Sequence, residues 1–288
     1  MTAKPKPTLA ADIAAPRWLK VTFAALERLS PRGGGVLAAS LFTTPRRHRT
    51  PDWERALRAT ARQRTFAGEL NASEFGPERG HPVVLLHGWE GRGTQLGRLA
   101  EPLIAAGHRV IALDGPAHGG STGKRANPIA FAEALLEVQR EVGPFHGVVA
   151  HSMGAAASGI AIHRGLHVNR VALLGGPASL PEVLDRFIAV VGIERRIARH
   201  LREALRRQSG THPDEVDIRR IGPAMKVPAL IVHDVHDTEV PVADGRVIAA
   251  AWARAEYLEV DVGGHRRMLK AAQVIEAVTR FVGDPPTG

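Results

Sequence analysis

From residue 64 onward the apolar positions fall into short continuous runs, separated by segments in which they recur every three or four residues. The runs at 82–87 and 110–113 are unbroken, as strands covered on both faces require. Further strands are expected at 147–150, 171–174, 229–233 and 257–262, and 64–70 reads as a strand before a turn at 76–80. Helical spacing marks 96–106, 129–142, a stretch beginning at Met153, 242–253 and 268–281. Strands alternating with helices predict an α/β fold built on a mostly parallel, doubly wound sheet of about eight strands.

The rhythm breaks twice. Residues 179–225 read as helical, and within them Ile193, Ile197, Leu201 and Leu205 form one apolar stripe among Arg195, Arg196, Arg199, Arg202 and Arg206. A helix with one apolar stripe and one charged face must cover something apolar. As an insertion between two strands it is a candidate lid. At the other end, 16–29 predicts a helix opened by Pro16, with Trp18, Ala25, Leu26 and Leu29 on one side. Gly33, Gly34 and Gly35 read as a flexible joint after it, and 52–62 as a short helix. A basic helix with an exposed Trp suits a membrane surface, but its narrow apolar face favours packing on the main domain. Residues 1–15 read as disordered. The expected organisation is an N-terminal tail with helices over 1–63, a core over 64–178 and 226–288, and a helical lid over 179–225.

Charge and composition narrow the chemistry. The chain has no cysteine, which excludes a thiol nucleophile, a disulfide framework and Cys-ligated metal. A net charge of +9 attracts anionic surfaces or substrates but is silent on fold. The start has no apolar run long enough for a signal-peptide core, and no stretch suits a membrane span, so the expected location is the cytoplasm without stable membrane insertion. The arginine-rich insertion lacks any base-reading or aromatic-interleaved motif, and nucleic acid is not an expected partner.

The sharpest local feature is Val148-Val149-Ala150-His151-Ser152-Met153-Gly154, an apolar strand running into a serine with small residues beginning a helix after it. A serine on such a strand–turn–helix corner sits in a strained conformation, leaving room only for small residues two positions either side, here Ala150 and Gly154. The helix opening at Met153 aims free N–H groups, and its positive end, at charge beside Ser152. Two more turns each follow a strand: His87-Gly88-Trp89-Glu90-Gly91, and Asp114-Gly115-Pro116-Ala117-His118-Gly119-Gly120-Ser121.

With these three motifs in order, the chain from about residue 64 to its end resembles the α/β-hydrolase family. Ala150, where the family pattern has glycine, is the one departure within the serine turn, and it is still small. The resemblance implies a catalytic triad of Ser152 as nucleophile, His265 in the Gly263-Gly264-His265 turn as general base, and Asp237, three residues before Val240-Pro241 in the family manner, as the acid orienting it. Asp234 and Glu239 are rival carboxylates, Asp234 equally suited to anchoring its loop. By the same resemblance the backbone N–H groups of Trp89 and Met153 form the oxyanion hole, the Trp89 indole contributes to substrate binding, and His87 and His118 hold loops.

The expected function is hydrolysis of a small-molecule carboxylic ester or thioester through an acyl-enzyme on Ser152, with no cofactor and no metal, a homodimer being one admissible state. Two other classes fit parts of the pattern. His233-Asp234-Val235-His236-Asp237, with His87, His118 and His151, offers ligands for a metal-dependent hydrolase, although an HDVHD run is weak by itself. A non-catalytic binding protein on the same scaffold is the other, against which all three triad positions are filled. Serine at the turn argues against dehalogenases and epoxide hydrolases, whose family pattern places aspartate there.

Overall fold

The computed structural model describes residues 15–283, so the expected disorder of 1–15 falls, apart from Ala15, outside the described residues. In chain order the elements are helices α1 (Arg17–Leu29), α2 (Pro31–Thr43) and α3 (Asp52–Ala59), then strands β1 (Arg62–Phe66), β2 (Leu70–Phe75) and β3 (Pro82–Leu86). A 3-10 turn over Gly93–Leu99 leads into α4 (Ala100–Ala105), followed by β4 (Arg109–Leu113), α5 (Pro128–Val142), β5 (Phe145–His151), α6 (Met153–His163) and β6 (Val168–Leu174). Helices α7 (Leu180–Val191), α8 (Arg195–Ser209) and α9 (Ile218–Ile221) precede β7 (Ala229–Asp234), α10 (Val242–Ala251), β8 (Ala255–Val260) and α11 (Ala272–Gly283).

The eight strands form one sheet in the order β1-β2-β4-β3-β5-β6-β7-β8, antiparallel across β1, β2 and β4 and parallel from β4 to β8. Strands β5 and β7 are buried along their whole length, their apolar centres at 148–150 and 229–232 lying between helix layers. The expected single strand at 64–70 is instead the end of β1, a tight turn with Ala67 and Gly68 at φ 48° and 72°, and the start of β2. Strand β2, LNASEF, carries Asn71, Ser73 and Glu74. Its apolar run was too short to register, and tertiary pairing with β4 makes it a strand.

Residues divide into a core unit, Thr44–Ala178 with Val216 onward, and a helical unit, the residues up to Thr43 with Ser179–Glu215. The helical unit has its own apolar core, in which Phe23, Ala38 and Ala39 of α1 and α2 meet Ile197, Ala198 and Leu201 of α8. The apolar stripe of the insertion therefore packs on the N-terminal helices, which sequence spacing had assigned to a separate segment. The three glycines read as a joint lie inside α2. A β-carbon at Gly35 would stand 2.4 Å from His200 Cβ, and one at Gly34 2.6 Å from Ile197 Cδ1. Small residues let α2 and α8 approach so closely that packing overrides the low helix propensity of glycine.

Glu27 joins the two halves of this unit. It is buried, and its carboxylate accepts the backbone N–H groups of Arg196 and Ile197, each at 2.9 Å, while Arg196 Nη1 donates to the Glu27 carbonyl. These N–H groups are in the first turn of α8, whose own N-cap residue Glu194 supplies no side-chain cap. A carboxylate from α1 thus caps α8 from outside. Glu27→Ala should lower stability by about 1–3 kcal/mol, since it leaves one buried and one half-buried donor unmet, and Glu27→Gln by less. Urea denaturation monitored by circular dichroism checks this; an unchanged midpoint for the alanine variant would count against the cap.

Candidate active site

Strand order reverses about β3: β4 lies on one side and β5 on the other. In such sheets the crevice outside the carboxyl ends of the strands at the reversal is where ligands bind. Leu86, Ala150 and Leu173 stand side by side in register, so 87–89, 151–152 and 175–176 emerge at that edge together. Ser152 sits at the end of β5 with φ 55° and ψ −121°, a region closed to most side chains. Its N–H continues the ladder to Leu174 O at 2.8 Å. The approach is tight on every side. A β-carbon on Gly154 would lie 2.5 Å from His87 O, and one on Gly88 2.6 Å from Ser152 Cβ.

Next to this turn is a buried imidazole–carboxylate pair. His265 Nδ1 and Asp237 Oδ2 are 2.6 Å apart. Asp237 Oδ1 accepts the N–H groups of Glu239 and Val240, both at 2.8 Å. The fully buried His233 adds Nε2 at 3.4 Å from the same Oδ2 while also reaching Val240 O at 3.0 Å. Burial alone would raise the Asp237 pKa, but the hydrogen bonds of His233 and His265, the field of His265 and the Val240 N–H hold it well below the usual carboxylate range. The rivals are engaged elsewhere. Asp234 accepts His236 N–H at 2.8 Å and Val262 N–H at 2.6 Å, tying its loop to the end of β8, and Glu239 pairs with Arg266 at the surface.

His151, immediately before the serine, places Nε2 3.0 Å from the His265 carbonyl oxygen, with the two rings 4.4 Å apart. Burial, then the nearby His265, keeps the His151 pKa far below the ordinary imidazole value, so it stands as a neutral spacer between turn and loop. Gly175, at φ 57°, closes the other side: a β-carbon there would lie 3.1 Å from His265 Nδ1. The structure thus joins His265 to Asp237 directly and to Ser152 through its neighbour. Among the described residues no hydrogen bond links Ser152 Oγ to the ring; such contacts commonly tighten only when substrate binds.

Facing Ser152 across Gly88 is the turn carrying Trp89. His87 is buried; it pairs Nδ1 with Gly88 O at 2.7 Å and accepts Gly115 N–H on Nε2 at 2.9 Å. Desolvation lowers its pKa to about 3, keeping it a neutral acceptor. His118 repeats the pattern, pairing with Pro116 O and accepting Glu90 N–H. Both histidines hold loops, as the resemblance implied. Asp114 spans the same turns by accepting Gly93 N–H and Gly120 N–H, each at 2.8 Å. Glu90, itself at φ 56°, is gripped by Arg46 and His48. Burial would raise its pKa, but those bonds bring it down to about 2.

Comparison with known proteins places this geometry. A family model described as alpha/beta hydrolase fold matches residues 81–192, the span holding all three turns. The chain has the α/β-hydrolase fold. It is 27% identical over 252 residues to a pimeloyl-[acyl-carrier protein] methyl ester esterase of Xanthomonas axonopodis pv. citri, covering 72% of this chain and 97% of that one. It is 34% identical over 128 residues to a serine hydrolase-like protein of Danio rerio, covering 42% of this chain and only 39% of the zebrafish protein. An esterase from Exiguobacterium antarcticum superposes with a TM-score of 0.59 at 16% identity, over 78% of this chain and all of that one.

Within this fold the HDVHD run does not converge as metal ligands would. His233 turns inward to Asp237, Asp234 binds backbone, and His236 reaches Asp261 at the surface. Sequence reasoning offered His233 and His151 only as metal ligands, not as a partner of Asp237 and a spacer, and gave no role to the Gly175-Gly176 pair after β6. Only that Gly-Gly at a strand end was a readable signal. Arg46 and His48, more than 40 residues before Glu90, left none. The depressed Asp237 carboxyl has a defined pH signature: its stabilising effect is present above its unfolded pKa of about 3.9 and is lost as pH falls toward its folded value. The stability deficit of Asp237→Asn should be largest at neutral pH and narrow below about pH 4. Urea midpoints across that range check it, and a deficit constant down to pH 3 would contradict the ionised pair.

Proposed function

We propose that the protein hydrolyses carboxylic esters, with thioesters as the nearest alternative substrates, through an acyl-enzyme on Ser152. The 2.6 Å contact between His265 Nδ1 and Asp237 Oδ2, on a loop beside a serine at a left-handed turn, carries this reading. With Nδ1–H donated to Asp237, the ring presents a basic Nε2. That nitrogen takes the Ser152 proton as Oγ attacks the carbonyl carbon, and Asp237 stabilises the imidazolium that forms. The oxyanion is received by the N–H groups of Trp89 and Met153. Neither donates to another acceptor among the described residues, and Met153 opens α6, where first-turn N–H groups lack intrahelical partners. Collapse expels the alcohol, which takes the proton back from Nε2. Water then adds to the acyl carbon with the same base, releasing the acid and restoring Ser152.

Esterases among the relatives support this class of substrate, one of them named for a methyl ester carried on an acyl carrier protein. Trp89 is partly exposed, with its ring edge-on to His118 at 5.5 Å, and it forms one wall of the acyl pocket. The insertion Ser179–Glu215 follows β6 in the chain and is the candidate lid.

Ser152→Ala should reduce kcat/KM for a short p-nitrophenyl ester by about a thousandfold or more without changing the circular dichroism spectrum. A serine-reactive phosphonate should add to Ser152, located by peptide mass spectrometry. Retained turnover in the variant, or label on another residue, refutes the assignment. Because its share of the oxyanion hole is main-chain, Trp89→Ala should alter preference along a series of graded acyl lengths through KM and leave kcat on the best ester within about fivefold. A kcat collapse on every ester would instead place the indole in the chemistry.

A further inference from the structure

Of the large apolar side chains that stand exposed among the described residues, all but Tyr257 lie on the two consecutive helices α1 and α2. Helix α1 has two apolar faces. One, with Phe23 at 1% exposure and Leu19 and Leu26 beside it, enters the core of the helical unit. The other runs along Trp18, Val21, Ala25 and Leu29, spaced three and four residues apart, with Trp18 67%, Val21 62% and Leu29 83% exposed. A helix that only packs on a water-facing unit needs one apolar stripe; the second has no partner among the described residues. Val36, Leu37 and Leu41 of α2 add to the exposed set.

Charge identifies what covers it. Arg17, Lys20, Arg28 and Arg32 project from these two helices, and among the described residues their side chains form no ion pair. The one acidic residue of α1 and α2, Glu27, is buried on α8. Beside Arg32 and Val36 opens a groove of about 1180 Å³ lined by Leu184 and Leu205, by Arg199, and by Arg206 paired with Glu203. An apolar stripe with an outward Trp and a wholly basic exposed border on α1 and α2 match a surface of negative headgroups over acyl chains. We propose that the α1–α2 face docks the protein peripherally on a bilayer containing anionic lipids. No helix among the described residues is long and apolar enough to cross one, so the contact is interfacial.

The test uses the full chain and does not depend on hydrolysis. In flotation with phosphatidylcholine vesicles containing about one third phosphatidylglycerol, binding should exceed that to pure phosphatidylcholine vesicles at least tenfold, and about 0.5 M salt should abolish the difference. Trp18→Ser/Val21→Ser/Leu29→Ser and Arg17→Gln/Lys20→Gln/Arg28→Gln should each lose about tenfold or more of that binding with unchanged circular dichroism. Brominated acyl chains should quench tryptophan fluorescence in the native protein, and the conservative Trp18→Phe should remove that quenching. The proposal fails if the native protein stays with neither vesicle, if the serine variant binds as well as the native protein, or if Trp18→Phe leaves the quenching unchanged. It also fails if light scattering shows a native dimer that the serine variant converts to monomer, for then a second copy of the chain covers the stripe.

Discussion

Left-handed backbone at a residue with a side chain is strained by roughly 1–3 kcal/mol, and Ser152 holds that conformation only because its surroundings permit no other. Its N–H must continue the ladder to Leu174 while the chain turns at once into α6. Helix α6 comes so near β3 that only hydrogen fits between Gly154 and the carbonyl oxygens of Leu86 and His87. Gly176 meets Ala155 in the same way. The parallel register of β3, β5 and β6 and the smallness of these residues are therefore one constraint: relax either, and the serine retreats into an ordinary helix start.

Around that corner burial decides the state of each polar group. A buried carboxylate persists only when its oxygens are met. Asp237 has two backbone donors on one oxygen and His265 with His233 at the other, while Asp234 and Asp114 each tie loops through backbone N–H groups. The buried loop imidazoles His87 and His118 follow the opposite rule, desolvation lowering their pKa values. His87 can accept Gly115 N–H only on an unprotonated nitrogen, and His118 likewise for Glu90 N–H. The loop histidines are thus fixed as single tautomers, so the turns they hold keep one shape.

What could be read from the sequence followed from burial on two faces. Strands β3 to β7 carry short apolar runs because they lie between helix layers, and their ends announce the site through glycine, histidine and serine in fixed order. The His265–Asp237 contact was legible through order along the chain and the Val-Pro after Asp237. Strand β2 was not, because half-polar strands acquire their identity from the neighbour they pair with. Helix α2 was misread for a related reason: glycine signals flexibility locally, whereas here it signals a partner backbone at contact distance. His233 was invisible because nothing in an HDVHD run says which members turn inward.

The helical unit shows the same limit at a larger scale. A stripe such as Ile193, Ile197 and Leu201 establishes that a helix has a partner but not where in the chain the partner lies. The partner turned out to be residues about 170 positions earlier, and the choice is enforced by charge as much as by apolar contact. The N-terminus of α8 carries a positive end and unmet donors, its own N-cap residue provides no cap, and the only carboxylate on α1 reaches exactly those donors. An alternative partner with an equal apolar surface but no buried acid at that point would leave two N–H groups unsatisfied. Glu27 therefore selects among packings that the hydrophobic pattern alone would leave equivalent.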